Sequence, residues 1–212
     1  MLEIKGFEFS PLAENTYLLF NESKEAVIID PGCFTQMEFD TLAQYLSAHQ
    51  LKPTQVWLTH AHFDHVFGLK KVVEKWSITP QMHLLDKPVL DLAGVAAARW
   101  NLPFDPYSGP VQYIADGDQL KIGTDVLEVI FAPGHAPGHL CFYSAAQHFV
   151  VGGDVLFRDS IGRTDLPGGD HAQLLNSIRK RLFTLPDQTK VYPGHGPYTT
   201  IQYEKAHNPF LQ

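Results

Sequence analysis

A chain that places His60, His62, Asp64 and His65 within six positions, directly after the apolar run Val56-Trp57-Leu58, is narrowly restricted in what it can become. Residues two apart point to the same side of an extended chain, whereas on a helix they diverge. His60 and His62 can therefore grip one ion together at the end of a strand. Asp64 and His65 fall where the chain turns into the next element, Val66–Trp76, and are expected to point at a neighbouring position. Three imidazoles and a carboxylate packed this closely, in a chain with eleven histidines, match a chance polar loop poorly. A metal site is the expectation.

Three further segments repeat the pattern of an apolar strand, then Gly or Pro, then a His or Asp. They are Val129–His135, Phe149–Asp154 and Val191–His195. Small residues let the backbone approach closely at such strand ends, and loops on a rigid sheet are where sites are usually built. Any one of these segments alone would read as an ordinary turn. Together with the first cluster they supply seven candidate ligands: His60, His62, Asp64, His65, His135, Asp154 and His195. Seven is too many for one tetrahedral ion and suits two ions roughly 3.5–4 Å apart. Asp154, with two oxygens, is the candidate bridge. His60, His62 and His135 then serve one ion, and Asp64, His65 and His195 the other. The donors are all N and O, so two divalent ions are expected, zinc first, with iron and manganese also admitted.

The remaining pattern describes a scaffold for that site. Short β-type runs at Leu2–Phe9, Thr16–Phe20 and Ala26–Asp30 are separated by intervals suited to antiparallel pairing. A helix over Met37–His49, a strand over Gln55–Thr59, a helix over Val66–Trp76, a strand over Ile78–Leu84 and a helix over Pro88–Arg99 read as a βαβ passage. Residues 102–110 read as a surface loop. Strands then return at Val111–Ile114, Gln119–Ile122, Val126–Phe131, Leu140–Tyr143 and Phe149–Val151. After them come a loop to Gly169, a helix over His171–Phe183, a strand over Lys190–Tyr192 and a closing helix over Thr199–His207. The two halves look like loose copies of one plan. One α/β domain spanning 1–212, a four-layer αββα sandwich of two mixed sheets with outer helices, is expected.

Bulk properties narrow the function. With 44% hydrophobic residues over 212 positions the chain can bury a full core. A net charge of -7 and no basic stripe exclude nucleic acid as the expected partner. Arg179-Lys180-Arg181 reads as a solvated helix face. Cys33 and Cys141 have no paired spacing and read as buried thiols in a reducing compartment. The N-terminus shows no secretory leader, and no apolar stretch reaches membrane-spanning length. A cytoplasmic protein with a small-molecule substrate and no membrane partner is the expectation.

The HxHxDH string at 60–65, followed in order by His135, Asp154 and His195, resembles the metallo-β-lactamase superfamily. Asp30-Pro31-Gly32, the run Pro133–His139, Gly153–Phe157 and Asn208-Pro209-Phe210 are similar to its glyoxalase II (hydroxyacylglutathione hydrolase) branch and single-domain relatives. The resemblance spans essentially the whole chain. It implies the sandwich fold, the two-metal assignment and hydrolysis of a thioester such as S-lactoylglutathione by hydroxide generated between the ions. Asp64 and Asp154 would be the catalytic carboxylates. The sequence departs from glyoxalase II in two ways. It stops soon after His195, where those enzymes continue into a helical domain with basic contacts to glutathione, and it has Asp165 where they carry a Tyr. Gly162-Arg163-Thr164-Asp165 also resembles persulfide dioxygenases, which use one Fe(II) and would need only His60, His135 and Asp154. A non-enzymatic, metal-stabilised binding module is a third reading, which would tolerate missing ligands.

Other residues carry weaker expectations. Arg163 could read a substrate carboxylate through its planar fork, or form an ordinary surface salt bridge. Asp30 is expected to hold a ligand imidazole from behind, or to cap its own turn. His139 is expected to orient its loop or hydrogen-bond nearby, since the resemblance gives it no metal role. The two thiols have no base placed beside them by sequence, so thiol nucleophilic catalysis is not expected.

Overall fold

Strands that are apolar on both faces must be covered on both, and this requirement generates the layers. The computed structural model describes residues 1–212. In β2 (Glu14–Phe20) and β3 (Glu25–Ile29), side chains alternate between two cores, as the period of two in a strand requires. Tyr17, Leu19, Val27 and Ile29 enter the inner core, whereas Leu18, Phe20, Ala26 and Ile28 face the first helix layer. On the other sheet, Leu140 and Phe142 of β9 (Leu140–Ser144) point into the same inner core, while Cys141 and Tyr143 face the second helix layer. Three apolar cores thus separate four layers, αββα.

The first sheet has the order β1-β2-β3-β4-β5-β6, with β1 (Glu3–Phe9), β4 (Lys52–Trp57), β5 (Pro80–Met82) and β6 (Gln112–Tyr113). β1, β2 and β3 pair antiparallel, and the rest parallel. It is covered by α1 (Gln36–Ala48), α2 (Leu69–Trp76) and α3 (Lys87–Ala98). Thr35 starts α1 through a capping box: its hydroxyl accepts from Glu38 N, and Glu38 Oε2 accepts from Thr35 N.

The second sheet, β14-β13-β10-β9-β8-β7, contains β7 (Gln119–Ile122), β8 (Asp125–Phe131), β10 (Phe149–Gly153), β13 (Lys190–Pro193) and β14 (Thr199–Thr200). It is covered by α4 (His171–Ser177), its continuation to Leu182, and α5 (Ile201–His207).

Several element boundaries differ from the sequence reading. The strand expected over 78–84 is only Pro80–Met82, because His83 caps a single 3-10 turn over Leu84–Asp86 and so ends the extended run. The helix expected from Val66 starts at Leu69, since Phe63–His65 form their own 3-10 turn. The helix over 171–183 widens after Ser177 into a π-helical stretch, Ile178–Leu182, with Phe183 N bonded to Ile178 O at 2.8 Å. The loop to Gly169 contains a hairpin of β11 (Leu156–Phe157) and β12 (Ser160–Ile161). Cys33 and Cys141 are buried, free thiols, and no helix is long and apolar enough to cross a membrane.

One edge of the sandwich matters for function. β3 and β4 are parallel, as are β10 and β13, and β8 runs with β10 because each is antiparallel to β9. The segments that follow these strands carry Asp30, His60, His135, Asp154 and His195, and the sheets are tied together there. Leu140 N bonds to Thr59 O at 2.7 Å, and Asn15 N bonds to Gly194 O at 2.7 Å.

Candidate metal centre

The seven sequence-predicted ligands converge at that edge. In the first group, His62 Nδ1 lies 2.8 Å and His60 Nε2 3.3 Å from His135 Nε2. In the second, His195 Nε2 is 3.3 Å and His65 Nε2 3.9 Å from Asp64 Oδ2. Within each group the potential ligand atoms all lie within 4.8 Å of one another. Asp154 touches both groups. Its Oδ2 is 3.4 Å from His135 Nε2 and 3.6 Å from His195 Nε2, and its Oδ1 is 3.5 Å from His65 Nε2.

Each inward-pointing Nε2 is set by what holds the other ring nitrogen. His65 Nδ1 donates to Asp30 Oδ2 at 3.0 Å, and His135 Nδ1 donates to Arg163 O at 2.7 Å. His195 Nδ1 faces Leu12 O and Ala13 O at 3.1 and 3.2 Å. Thr59 Oγ1 gives its proton to Asp30 Oδ2, so it accepts from His60 Nδ1 at 3.0 Å. Asp30 Oδ1 also accepts Thr59 N at 2.7 Å, so both its oxygens are engaged in hydrogen bonds behind the His60 and His65 rings. Asp30 holds a left-handed backbone, with φ of 49° directly before Pro31, a region that Asp enters more readily than most non-glycine residues.

Burial, reinforced by neighbouring imidazoles, pushes His60 well below the ordinary histidine range and His62 down to about 3; burial also lowers His135. These rings are neutral. With Nδ1–H donated outward from both, His60 Nε2 and His135 Nε2 face each other at 3.3 Å, and His62 Nδ1 lies 2.8 Å from the latter, so three imidazole nitrogens converge on one point. Burial alone would raise Asp154, but His65, His135 and His195 hold it far below the carboxylate range. Burial opposes protonation of His65 and His195, yet the Asp154 and Asp64 carboxylates outweigh it and raise both. Asp154 Oδ1 and His65 Nε2 are buried and have no hydrogen-bond partner. Unpaired buried polar atoms are costly, and a divalent ion coordinated by both removes the cost. The residues fit a metal.

Small residues make the approach tight. A Cβ on Gly194 would lie 2.1 Å from Asp154 Oδ1 and 2.7 Å from His65 Cε1. Gly153 has φ of 50°, and a Cβ there would meet Thr59 Oγ1 at 2.5 Å and His139 Nε2 at 2.7 Å. His139 Nε2 accepts Asp154 N at 3.0 Å and so orients that residue from behind. Arg163 offers the centre its carbonyl, while its half-exposed guanidinium forms a two-pronged pair with Asp165, at 2.7 Å on both prongs.

Two buried acids escaped the sequence reading. Glu14 lies 3.7 Å from His65 Nδ1 and accepts Thr16 Oγ1 at 2.9 Å. Burial raises its pKa well above the ordinary range despite the pull of His65. Asp86 accepts Ala61 N at 2.7 Å and Gly138 N at 2.6 Å. Neither sits in a ligand-like motif: Glu14 opens β2, and Asp86 ends a single 3-10 turn.

Comparison with known proteins agrees with this geometry. The family model of the metallo-beta-lactamase superfamily matches residues 10–195. The chain belongs to this superfamily. Among its relatives, the probable metallo-hydrolase YqgX of Bacillus subtilis is 40% identical over 202 residues, covering 95% of this chain and 93% of that protein. Hydroxyacylglutathione hydrolase GloC of Haemophilus influenzae is 36% identical over 216 residues, covering 99% and 98%. Among solved structures, the BLEG-1 B3 metallo-beta-lactamase superposes with a TM-score of 0.91 at 40% identity, covering 99% of this chain and 100% of that one. TTHA1623 in a di-iron-bound form gives 0.89 at 40% identity, with 98% and 100% covered. ETHE1 from Myxococcus xanthus gives 0.80 at 29% identity, with 98% and 83% covered. The superfamily assignment makes this a metallo-hydrolase-like enzyme that binds divalent metal. The alternative of a non-enzymatic binding module has nothing further in its favour.

Proposed function

We propose that the chain is a dinuclear metal-dependent thioesterase of the glyoxalase II type, acting on a small thioester such as S-lactoylglutathione. The observation that carries this reading is Asp154, which addresses His135 and His195 through one oxygen and His65 through the other. His60, His62 and His135 would hold one ion, and Asp64, His65 and His195 the other, with Asp154 shared; zinc is the first choice and iron or manganese suit the same donors. When bound, such ions lower the pKa of water toward neutrality and polarise a carbonyl oxygen. The residues supply the rest. Asp64, whose Oδ2 lies 3.3 Å from Nε2 of the partly exposed His195, would orient the attacking hydroxide as well as bind metal. Asp30, Arg163 O and the carbonyls of Leu12 and Ala13 keep the imidazoles aimed. A thiolate, with a pKa of roughly 8.5 for a cysteine-like thiol, leaves without a strong general acid. The absence of a spare acid among the ligands is therefore no obstacle. Similarity to GloC supports the substrate class.

The persulfide dioxygenase reading draws on the resemblance of the 162–165 string and on ETHE1 among the similar structures. A mononuclear enzyme has no use for Asp64, His65 and His195 as a converged set, and that set is complete here. The test is a direct comparison on the metal-loaded protein: S-lactoylglutathione cleavage followed by thiol release, glutathione persulfide under an oxygen electrode, and a β-lactam. Thioester cleavage without oxygen uptake is the expected result. Oxygen consumption with persulfide, or turnover of the β-lactam alone, would overturn the reading.

A further inference from the structure

The first group of imidazoles straddles the two halves of the sandwich. His60 and His62 follow β4 of one sheet, and His135 follows β8 of the other. The sheets are held face to face by the inner apolar core, and hydrophobic contact has no directional preference. Some directional link must fix how far His135 stands from the His60–His62 pair.

Asp86 is that link. It ends the 3-10 turn after β5 and is fully buried. Its Oδ2 accepts the N–H of Ala61, the residue between His60 and His62, at 2.7 Å. Its Oδ1 accepts the N–H of Gly138, three residues beyond His135, at 2.6 Å. We propose that Asp86 is a positioning residue of the metal centre, which sets the separation of the His60–His62 pair from His135 by clamping one backbone N–H on each side. The inference rests on reading those histidines as metal ligands. Gly138 shows how close the clamp is: a Cβ there would lie 2.6 Å from Asp86 N and 2.8 Å from its Oδ1. Burial pushes the Asp86 carboxyl up to about 6, with both N–H donors pulling it back. An apolar residue would fill the space without that desolvation, but would strand two buried donors.

The experiment titrates metal-depleted protein with cobalt(II) against a chromophoric chelator, for wild type, Asp86→Asn, Asp86→Ala and His135→Ala. The Leu140 N to Thr59 O bond does not involve Asp86 and is expected to keep the two sides tied in each Asp86 variant. Asp86→Ala is expected to weaken one of the two ions by about 10–100-fold, as loss of a ligand-orienting partner does, while the other stays within about threefold. The weakened ion is the one that His135→Ala removes. Asp86→Asn keeps one acceptor and turns an amide toward the other donor, so it falls between, and it carries the test should Asp86→Ala not fold. A purely structural Asp86 would lower the melting temperature with both cobalt affinities unchanged or equally weakened, and that result would overturn the proposal. Wild-type protein that binds no cobalt would overturn the metal centre as well; normal wild-type binding with unaltered variants would overturn only the role of Asp86.

Discussion

Asp154 Oδ1 lies 3.5 Å from His65 Nε2, and although both atoms are buried, neither has a hydrogen-bond partner. Asp154 Oδ2 meanwhile approaches His135 and His195. One carboxylate therefore stands between two groups of imidazoles without satisfying either. The proposed reading, in which both groups hold an ion and share Asp154, accounts for that arrangement.

The two groups should differ in how protons compete with metal. Burial keeps His60, His62 and His135 neutral, so an ion entering there expels no proton. His65 and His195, raised against the effect of burial by Asp154 and Asp64, retain protons nearer neutrality and must release them. The sign follows: lowering the pH from about 8 to 6 weakens the second ion markedly and the first little. Calorimetric titration in buffers of different ionisation enthalpy measures the protons released with each ion.

Asp30→Asn places an amide N–H₂ or a single carbonyl oxygen where three donors, Thr59 N, Thr59 Oγ1 and His65 Nδ1, now converge. At least one buried donor loses its acceptor, a cost of about 1–3 kcal/mol, readable in urea unfolding. Affinity for the His65-bound ion should fall by about 10–100-fold.

Gly194→Ala is expected to be more damaging than its size suggests. The added Cβ would fall 2.1 Å from Asp154 Oδ1, so the bridging carboxylate has to move. Thioesterase activity and the binding of at least one ion should be lost together, while far-UV circular dichroism stays that of the wild type.

Arg163 is occupied by Asp165 rather than free to meet a ligand. If a substrate carboxylate engages Arg163, it must displace that partner. Asp165→Asn is then expected to lower KM for S-lactoylglutathione severalfold with kcat unchanged, and Arg163→Ala to raise KM. Steady-state kinetics on both variants separates this from an ordinary surface pair, for which neither constant would move.

What could be read in advance depended on how local the signal was. His60, His62, Asp64 and His65 declare themselves by spacing alone, and His135, Asp154 and His195 by the repeated strand-Gly/Pro-ligand pattern. The layered fold was legible because the strand and helix pattern recurs in two similar halves, each with helices to cover its sheet. Glu14 and Asp86 were not legible. Asp86 works through backbone atoms of residues 61 and 138, which only tertiary packing brings to it. The β11–β12 hairpin escaped for a related reason: two residues a side carry no periodicity, and Asn208 of the final segment, through Ser160 O, helps hold it. Arg163 was singled out for its side chain; that its carbonyl meets His135 Nδ1 is a backbone contact that no residue pattern announces.

The most direct test of the account is a metal count on purified wild-type protein and on Asp154→Ala. Two ions per chain in the wild type, and loss of both together with thioester hydrolysis in the variant, is the predicted result. A variant that keeps one ion as tightly as the wild type, or retains full activity, would contradict the shared role of Asp154.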